Sequence, residues 1–266
     1  MPMEMIWLYG GLGALSAAVA LTLRDGWIRG LADSRAYRLL LVAALAFGAV
    51  LTERWLRTGF GPFATLFDIL LSNLFSLCLI YGLLARRFRR VRCGSPFALL
   101  VLVVMGAWLT VVPHTSSALP TAFDSYWLWA HLVTGKLFLG IALAVASLAL
   151  VLLLETRRTG AASAGLQEDD LLLWRLFGVA FVLHGLMLIA GAVWAQDAWG
   201  RYWGWDPLET WSLLTWLLMG VALHMRVTFR GRPQWGWGMT VAVFLVAFLT
   251  LFGVPFLSEA PHRGLI

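Results

Sequence analysis

The stretch WLWAHLVTGKLFLGIALAVASLALVLLL (127–154) contains one lysine, Lys136, and one histidine, His131, in an otherwise uncharged run. A helix of about 20 apolar residues crosses the hydrocarbon core of a bilayer, so this run reads as a membrane span with length to spare. Comparable runs lie on either side of it, at 5–23, 37–52, 63–85, 96–112, 171–194, 208–229 and 237–257. The predicted fold class is therefore all-α, a polytopic integral membrane protein with about eight transmembrane helices. Composition points the same way. Of 266 residues, 61% are hydrophobic and 13% charged, against about 45–50% and about 25% in soluble domains. A water-soluble globule is excluded.

The net charge of +6 does not indicate nucleic acid, because the basic residues sit between apolar runs and form no stripe on a soluble face. They set orientation instead. Arg24, Arg29, Arg35 and Arg38 follow the first span, Arg86, Arg87, Arg89, Arg90 and Arg92 the third, Arg157, Arg158 and Arg175 flank the next even-numbered loop, and Arg226, Arg230 and Arg232 the last. The opposite side holds Arg54, Arg57, Arg201 and Arg263, with Lys136 in the outer part of a span. Excess Lys/Arg marks the cytoplasm, so both termini and the 195–207 loop are expected outside. MPMEMIWLYG at the start lacks the positive region of a signal peptide, so the first run is expected to remain as a span. Cys78 and Cys93 form no Cys-x-x-Cys pair, which leaves no encoded dithiol centre. The stretch 156–170 is the one linker-like segment.

Tryptophan marks the site of interest. Six of fifteen (Trp194, Trp199, Trp203, Trp205, Trp211 and Trp216) fall within 23 residues. Scattered Trp7, Trp55, Trp127 and Trp235 suit an interfacial aromatic belt. A belt does not require WGRYWGW (199–205), where glycines let flat groups approach the backbone; that arrangement suits a large planar ligand. Next come Asp206, Pro207 and Glu209, which read as an N-cap, a first helical position and the reciprocal capping-box carboxylate.

Five histidines complete the inventory. His131 lies near the outer end of the fifth span and His262 in the tail beyond the last. His224 falls about 22 Å below the outer surface, in the inner part of the seventh span. His184 is near the middle of the sixth, and His114 is in an external loop; a hydrogen bond to a backbone carbonyl suffices for each. Imidazole is a common ligand of heme iron. His131 and His262 at one level, with a tryptophan platform between them, suit a bis-histidine heme site, with a quinone or another planar ligand as the alternative.

AVWAQDAWGRYWGWDPLETWSLLTWLLMGVALHMR (192–226) resembles the tryptophan-rich WWD signature of heme-handling proteins, and PLETW followed by a helix ending in His and Arg is similar to the CcsA/ResC family of system II cytochrome c synthetase subunits. GFGPFATLFDILL (59–71) is more weakly similar to a family segment of the form Gly-His-x-Pro-x-x-Asn-x-Tyr-Glu, with Phe60, Thr65, Phe67 and Asp68 standing for its His, Asn, Tyr and Glu. The resemblance runs from about residue 55 to the end. It divides the chain into an N-terminal two-helix region (1–54) and a heme-handling membrane domain (55–266) with its WWD loop at 194–211.

The resemblance implies cytochrome c biogenesis in the inner (cytoplasmic) membrane, with the WWD loop on the periplasmic side. Heme b would be the bound substrate, delivered across the membrane and attached to apocytochrome c in a lyase reaction. It implies His131 and His262 as external axial ligands acting in that reaction and His224 as an inner ligand. Trp199, Arg201, Tyr202, Trp203, Trp205 and Asp206 would be the heme-binding residues, with Arg201 a partner for a propionate. A CcsB/ResB-like subunit, a thioredoxin-like thiol reductant and membrane lipid would be partners. His184 could instead complete the inner site with His224, although the two are expected about 10 Å apart in depth. Two other classes stand as alternatives. A HemX-like regulatory protein would not need the intact WGRYWGWDPLETW with three histidines, and a heme-bearing electron carrier would pair histidines at two matched depths.

Overall fold

The computed structural model describes residues 3–29, 36–59, 61, 65–114, 125–159, 164–229 and 232–256. Among them are nine α-helices and no strand: α1 (Met3–Arg29), α2 (Ala36–Thr58), α3 (Leu66–Arg87), a short α4 (Arg89–Cys93), α5 (Ser95–Val111), α6 (Tyr126–Thr159), α7 (Ala164–Trp199), α8 (Pro207–Thr228) and α9 (Pro233–Phe252), the last followed by a 3-10 turn at Val254–Phe256. Every span expected from the sequence falls on one of the longer helices. Six helices are long and apolar enough to cross a membrane: α1, α2, α3, α6, α7 and α9. Helix α5 is apolar but has only 17 residues, and α8 carries Glu209, His224 and Arg226 within its 22 residues.

The chain forms two compact units, one of residues Met1–Leu119 with Leu265–Ile266, the other of Pro120–Gly264. The limit of the resemblance near residue 55 falls inside α2, which runs unbroken from Ala36 to Thr58.

In the first unit, α1 packs on α2 and α2 on α3, while α5 lies against α1 and α3. Close approach depends on small residues, as expected where lipid offers no hydrophobic drive between helices. A Cβ on Gly11 would lie 2.5 Å from the Phe47 ring. One end of this unit holds a buried charge network. Arg54, 2% exposed, donates from Nε to Asp68 Oδ1 at 2.7 Å and from Nη1 to Glu4 Oε1 at 2.8 Å. Arg57 pairs with the other Glu4 oxygen at 2.8 Å, and the Arg54 guanidinium lies 4.8 Å above the Phe67 ring centre. Thr65 caps α3 by accepting from the Asp68 amide, and its hydroxyl donates to Asp68 Oδ2. The segment similar to the Gly-His-x-Pro motif thus supplies Thr65, Phe67 and Asp68 to a structural anchor; Phe60 lies outside the described residues. His114 is exposed and packs its ring 4.3 Å from that of Phe67. Both cysteines are buried in this unit.

In the second unit, the long helices α6 and α7 pair, α9 packs against α6 and α8, and α8 also touches α7. The α6 seam is built of Ala142, Ala144, Ala146, Ser147 and Ala149, all buried. Helix α8 begins where the sequence predicts. Asp206 accepts from the Glu209 amide at 2.9 Å, and the Glu209 carboxylate accepts from the Asp206 amide at 3.3 Å, completing a capping box with Pro207 in the first turn. The expected WWD loop of 194–211 is shorter in the structure, because α7 continues through Trp199. It stops at Gly200, whose φ of 74° and amide bond to Gln196 O at 2.9 Å close the helix in the left-handed conformation that glycine adopts freely.

Candidate functional site

The connection between α7 and α8 is residues 200–206, and the carboxylate of Glu209 holds it. One oxygen, Oε2, accepts from the amides of both Gly204 (2.7 Å) and Asp206 (3.3 Å). Between those two anchored residues, Trp205 has a φ of 57°. A bulky residue in the left-handed region costs on the order of 1–3 kcal/mol and persists only where its surroundings hold it. The strained bracket leaves the Trp205 indole 70% exposed, beside an equally outward Tyr202. Trp203 meets Trp205 edge to face, with ring centres 5.9 Å apart. The Trp203 indole nitrogen is buried and has no hydrogen-bond partner among the described residues. Arg201 folds its guanidinium over Gly204, where a Cβ would sit 2.7 Å from Cζ. The loop therefore shows two aromatic faces, one cation and one unanswered N–H donor within a few residues.

A chain of rings leads from His131 to the start of this loop. The His131 ring stacks at 6.4 Å on Trp194, which is buried, and Trp194 meets Trp199 edge to face at 4.9 Å. His131 Nδ1 lies 2.9 Å from the Met187 carbonyl oxygen. A carbonyl only accepts, so Nδ1 carries the proton and the lone pair belongs to Nε2; fixing the tautomer this way is what an imidazole ligand needs. Gly191 makes the arrangement possible, since a Cβ there would sit 2.6 Å from Nδ1. These features fit a porphyrin with carboxylate arms: flat indoles for the ring, an oriented imidazole for the metal, and a guanidinium and an indole N–H for the carboxylates.

The other expected residues fall as follows. His262 lies outside the described residues. His224 is on α8, about 25 Å along the helix from its start, exposed, with Nε2 3.2 Å from the Thr228 hydroxyl. His184 is turned toward α6 instead of toward His224. It is 2% exposed and stacks on Phe138 with ring centres 4.1 Å apart, while its neighbour Gly185 faces Trp216 of α8. Trp216 donates to the Phe181 carbonyl and stacks on the Phe181 ring, so it packs α8 onto α7. Trp7, Trp55, Trp127 and Trp235 are all exposed, as belt residues should be. The sequence reading missed Gly191 and the Met187 carbonyl as the seat of His131; a glycine one turn before Trp194 was the available signal.

An all-helical, polytopic membrane protein with a tryptophan-rich loop between α7 and α8, and an oriented histidine on α6, defines the class. Residues 37–262 match the family described as "Cytochrome C assembly protein", and the chain belongs to that family. It is 30% identical over 286 residues to the cytochrome c biogenesis protein CcsA of Gloeobacter violaceus, covering 83% of each chain. The CcsA protein of Chlamydomonas reinhardtii is 31% identical over 232 residues, covering 83% of this chain and 65% of that relative. That of Porphyra purpurea is 27% identical over 270 residues, covering 84% and 85%.

Proposed function

We propose that this cytochrome c biogenesis protein delivers heme b across the inner membrane and presents it at the 200–206 loop for covalent attachment to apocytochrome c. The observation that carries this reading is the His131 ring, held by the Met187 carbonyl and stacked on Trp194, which meets Trp199 at the start of the loop that carries Trp203 and Trp205. His131 and His262 serve as the two axial ligands. Trp199, Trp203, Trp205 and Tyr202 receive the ring, and Arg201 with the Trp203 N–H receives the propionates. Asp206 acts by capping α8 and so fixing the loop. The bound heme supplies the vinyl carbons to which cytochrome thiols add. The protein orients that edge, excludes competing ligands and holds the metal by imidazoles that an incoming cytochrome histidine can displace.

The basic residues support a cytoplasmic placement for the Arg226 end of α8 and a periplasmic placement for the loop and both termini. His224, exposed on its helix, is the inner ligand, with its counterpart on a CcsB/ResB-like subunit. The heme-handling role is assigned to residues 55–266, with 1–54 as the N-terminal two-helix region; the boundary is one of role, since α2 crosses it unbroken. A thioredoxin-like reductant supplies reduced cytochrome thiols. Co-expression with the companion subunit and an apocytochrome tests the proposal. Thioether-linked cytochrome c should form with the native chain and fail with His131→Ala; bound heme with no covalent product under any condition would refute the lyase role.

A further inference from the structure

At the end of α7–α9 opposite the indole loop lies a cavity of about 390 Å³, whose lining includes Asp170, Trp174, Met225, Arg226, Phe229 and Arg232. Its size falls in the range of small-molecule sites. Its polar groups are arranged around one carboxylate. Asp170 Oδ1 accepts from two indoles, Trp174 at 2.9 Å and Trp237 at 2.8 Å. The remaining oxygen, Oδ2, faces Arg226 Nη2 at 3.7 Å, too far for a hydrogen bond. The Arg226 guanidinium lies over Trp174, 5.3 Å from the ring centre, and Gly236 makes room for that indole, since a Cβ there would approach it to 2.8 Å. Among the described residues neither the Arg226 nor the Arg232 guanidinium makes a hydrogen bond.

Two arginines against one aspartate leave the cavity with a net positive charge above an apolar wall. Guanidinium groups pair bidentately with phosphate, and basic pockets between helices at the cytoplasmic face take anionic lipid headgroups. Among the described residues no imidazole lines the cavity, and His224 bonds Thr228 on another face of α8. We infer that this cavity binds the phosphodiester headgroup of an anionic phospholipid, with Arg226 and Arg232 on the phosphate and Trp174 and Phe229 beneath the glycerol. Asp170 holds Arg226 in reserve until the lipid arrives.

The test is native mass spectrometry of the full-length chain titrated with phosphatidylglycerol or phosphatidylcholine. Phosphatidylglycerol should bind at least tenfold more tightly. The double variant Arg226→Gln/Arg232→Gln should lose that preference. Asp170→Asn keeps an oxygen for both indoles but removes the competing carboxylate, so it should tighten phosphatidylglycerol binding severalfold. Equal affinity for the two lipids, an unchanged preference in the double variant, or weaker binding in Asp170→Asn would overturn the inference. So would displacement of the retained lipid by added heme, which would assign the cavity to porphyrin carboxylates. None of these outcomes depends on ligation at the opposite end.

Discussion

Replacing Gly191 by alanine adds a single methyl group to α7, and the expected result is loss of heme without loss of the fold. The new Cβ would lie 2.6 Å from His131 Nδ1 and 3.0 Å from Cε1, where ordinary contact begins at 3.4 Å. The ring must therefore retreat by about 0.8 Å or more, beyond the roughly 0.5 Å within which a binding constellation keeps its productive geometry. Retreat also lengthens the 2.9 Å bond to the Met187 carbonyl, which is worth about 0.5–1.5 kcal/mol and fixes the tautomer. The helix itself gains, because alanine is about 1 kcal/mol better than glycine in a helix interior. The two stability changes nearly cancel, so the fold should hold while binding is lost. The assay is the heme-to-protein ratio of detergent-purified protein, read by pyridine hemochrome, together with a thermal melt. Gly191→Ala should retain at most a tenth of the native heme and melt within a few degrees of the parent. Native heme content and an unchanged reduced spectrum would show that His131 does not hold the ligand from this seat.

Other substitutions separate structural from ligand-holding roles. Glu209→Ala removes the acceptor of two loop amides and one half of the capping box, so about 1–2 kcal/mol of stability should go. The melt should fall, and heme retention with it; an unaltered melt would contradict the bracketing role. Arg54→Leu leaves Asp68 buried without its countercharge and Glu4 with only the exposed Arg57, a loss of about 3–5 kcal/mol. The variant should fail to accumulate in membranes, and adding Glu4→Gln and Asp68→Asn should restore it in part. His184→Phe removes a buried Nδ1 that has no partner while keeping the stack on Phe138. Its melting temperature should hold or rise, since an unanswered buried polar atom costs about 1–3 kcal/mol; a clear drop would show a hydrogen bond or ligand at that nitrogen.

What the sequence made legible follows from which interactions are local. Apolar run length predicts the helices because a span is a property of its own residues, and every expected span lies on a helix. The start of α8 was readable because Asp206, Pro207 and Glu209 act within one turn. The end of α7 was less so. Trp194 and Trp199 read as loop residues in a list of tryptophans, yet the helix carries both and stops only at Gly200. Long-range partners were hidden. Nothing near Glu4 announces Arg54, and nothing near Asp170 announces Trp237, since each pair meets only when its helices pack. Depth along the helices already separates His184 from His224, but only packing shows that helix rotation turns His184 toward Phe138 and leaves His224 exposed. The contact of Gly191 with His131 is likewise a property of the packed pair α6 and α7.

The decisive measurement is the spin state of the iron in purified protein, read by electron paramagnetic resonance of the ferric form. The native chain should give a low-spin signal from two imidazoles. Glycine in place of either His131 or His262 should remove that signal together with most of the heme, any heme retained being high-spin, and added imidazole should restore low-spin heme. An unchanged low-spin signal in both variants would mean that other groups hold the heme.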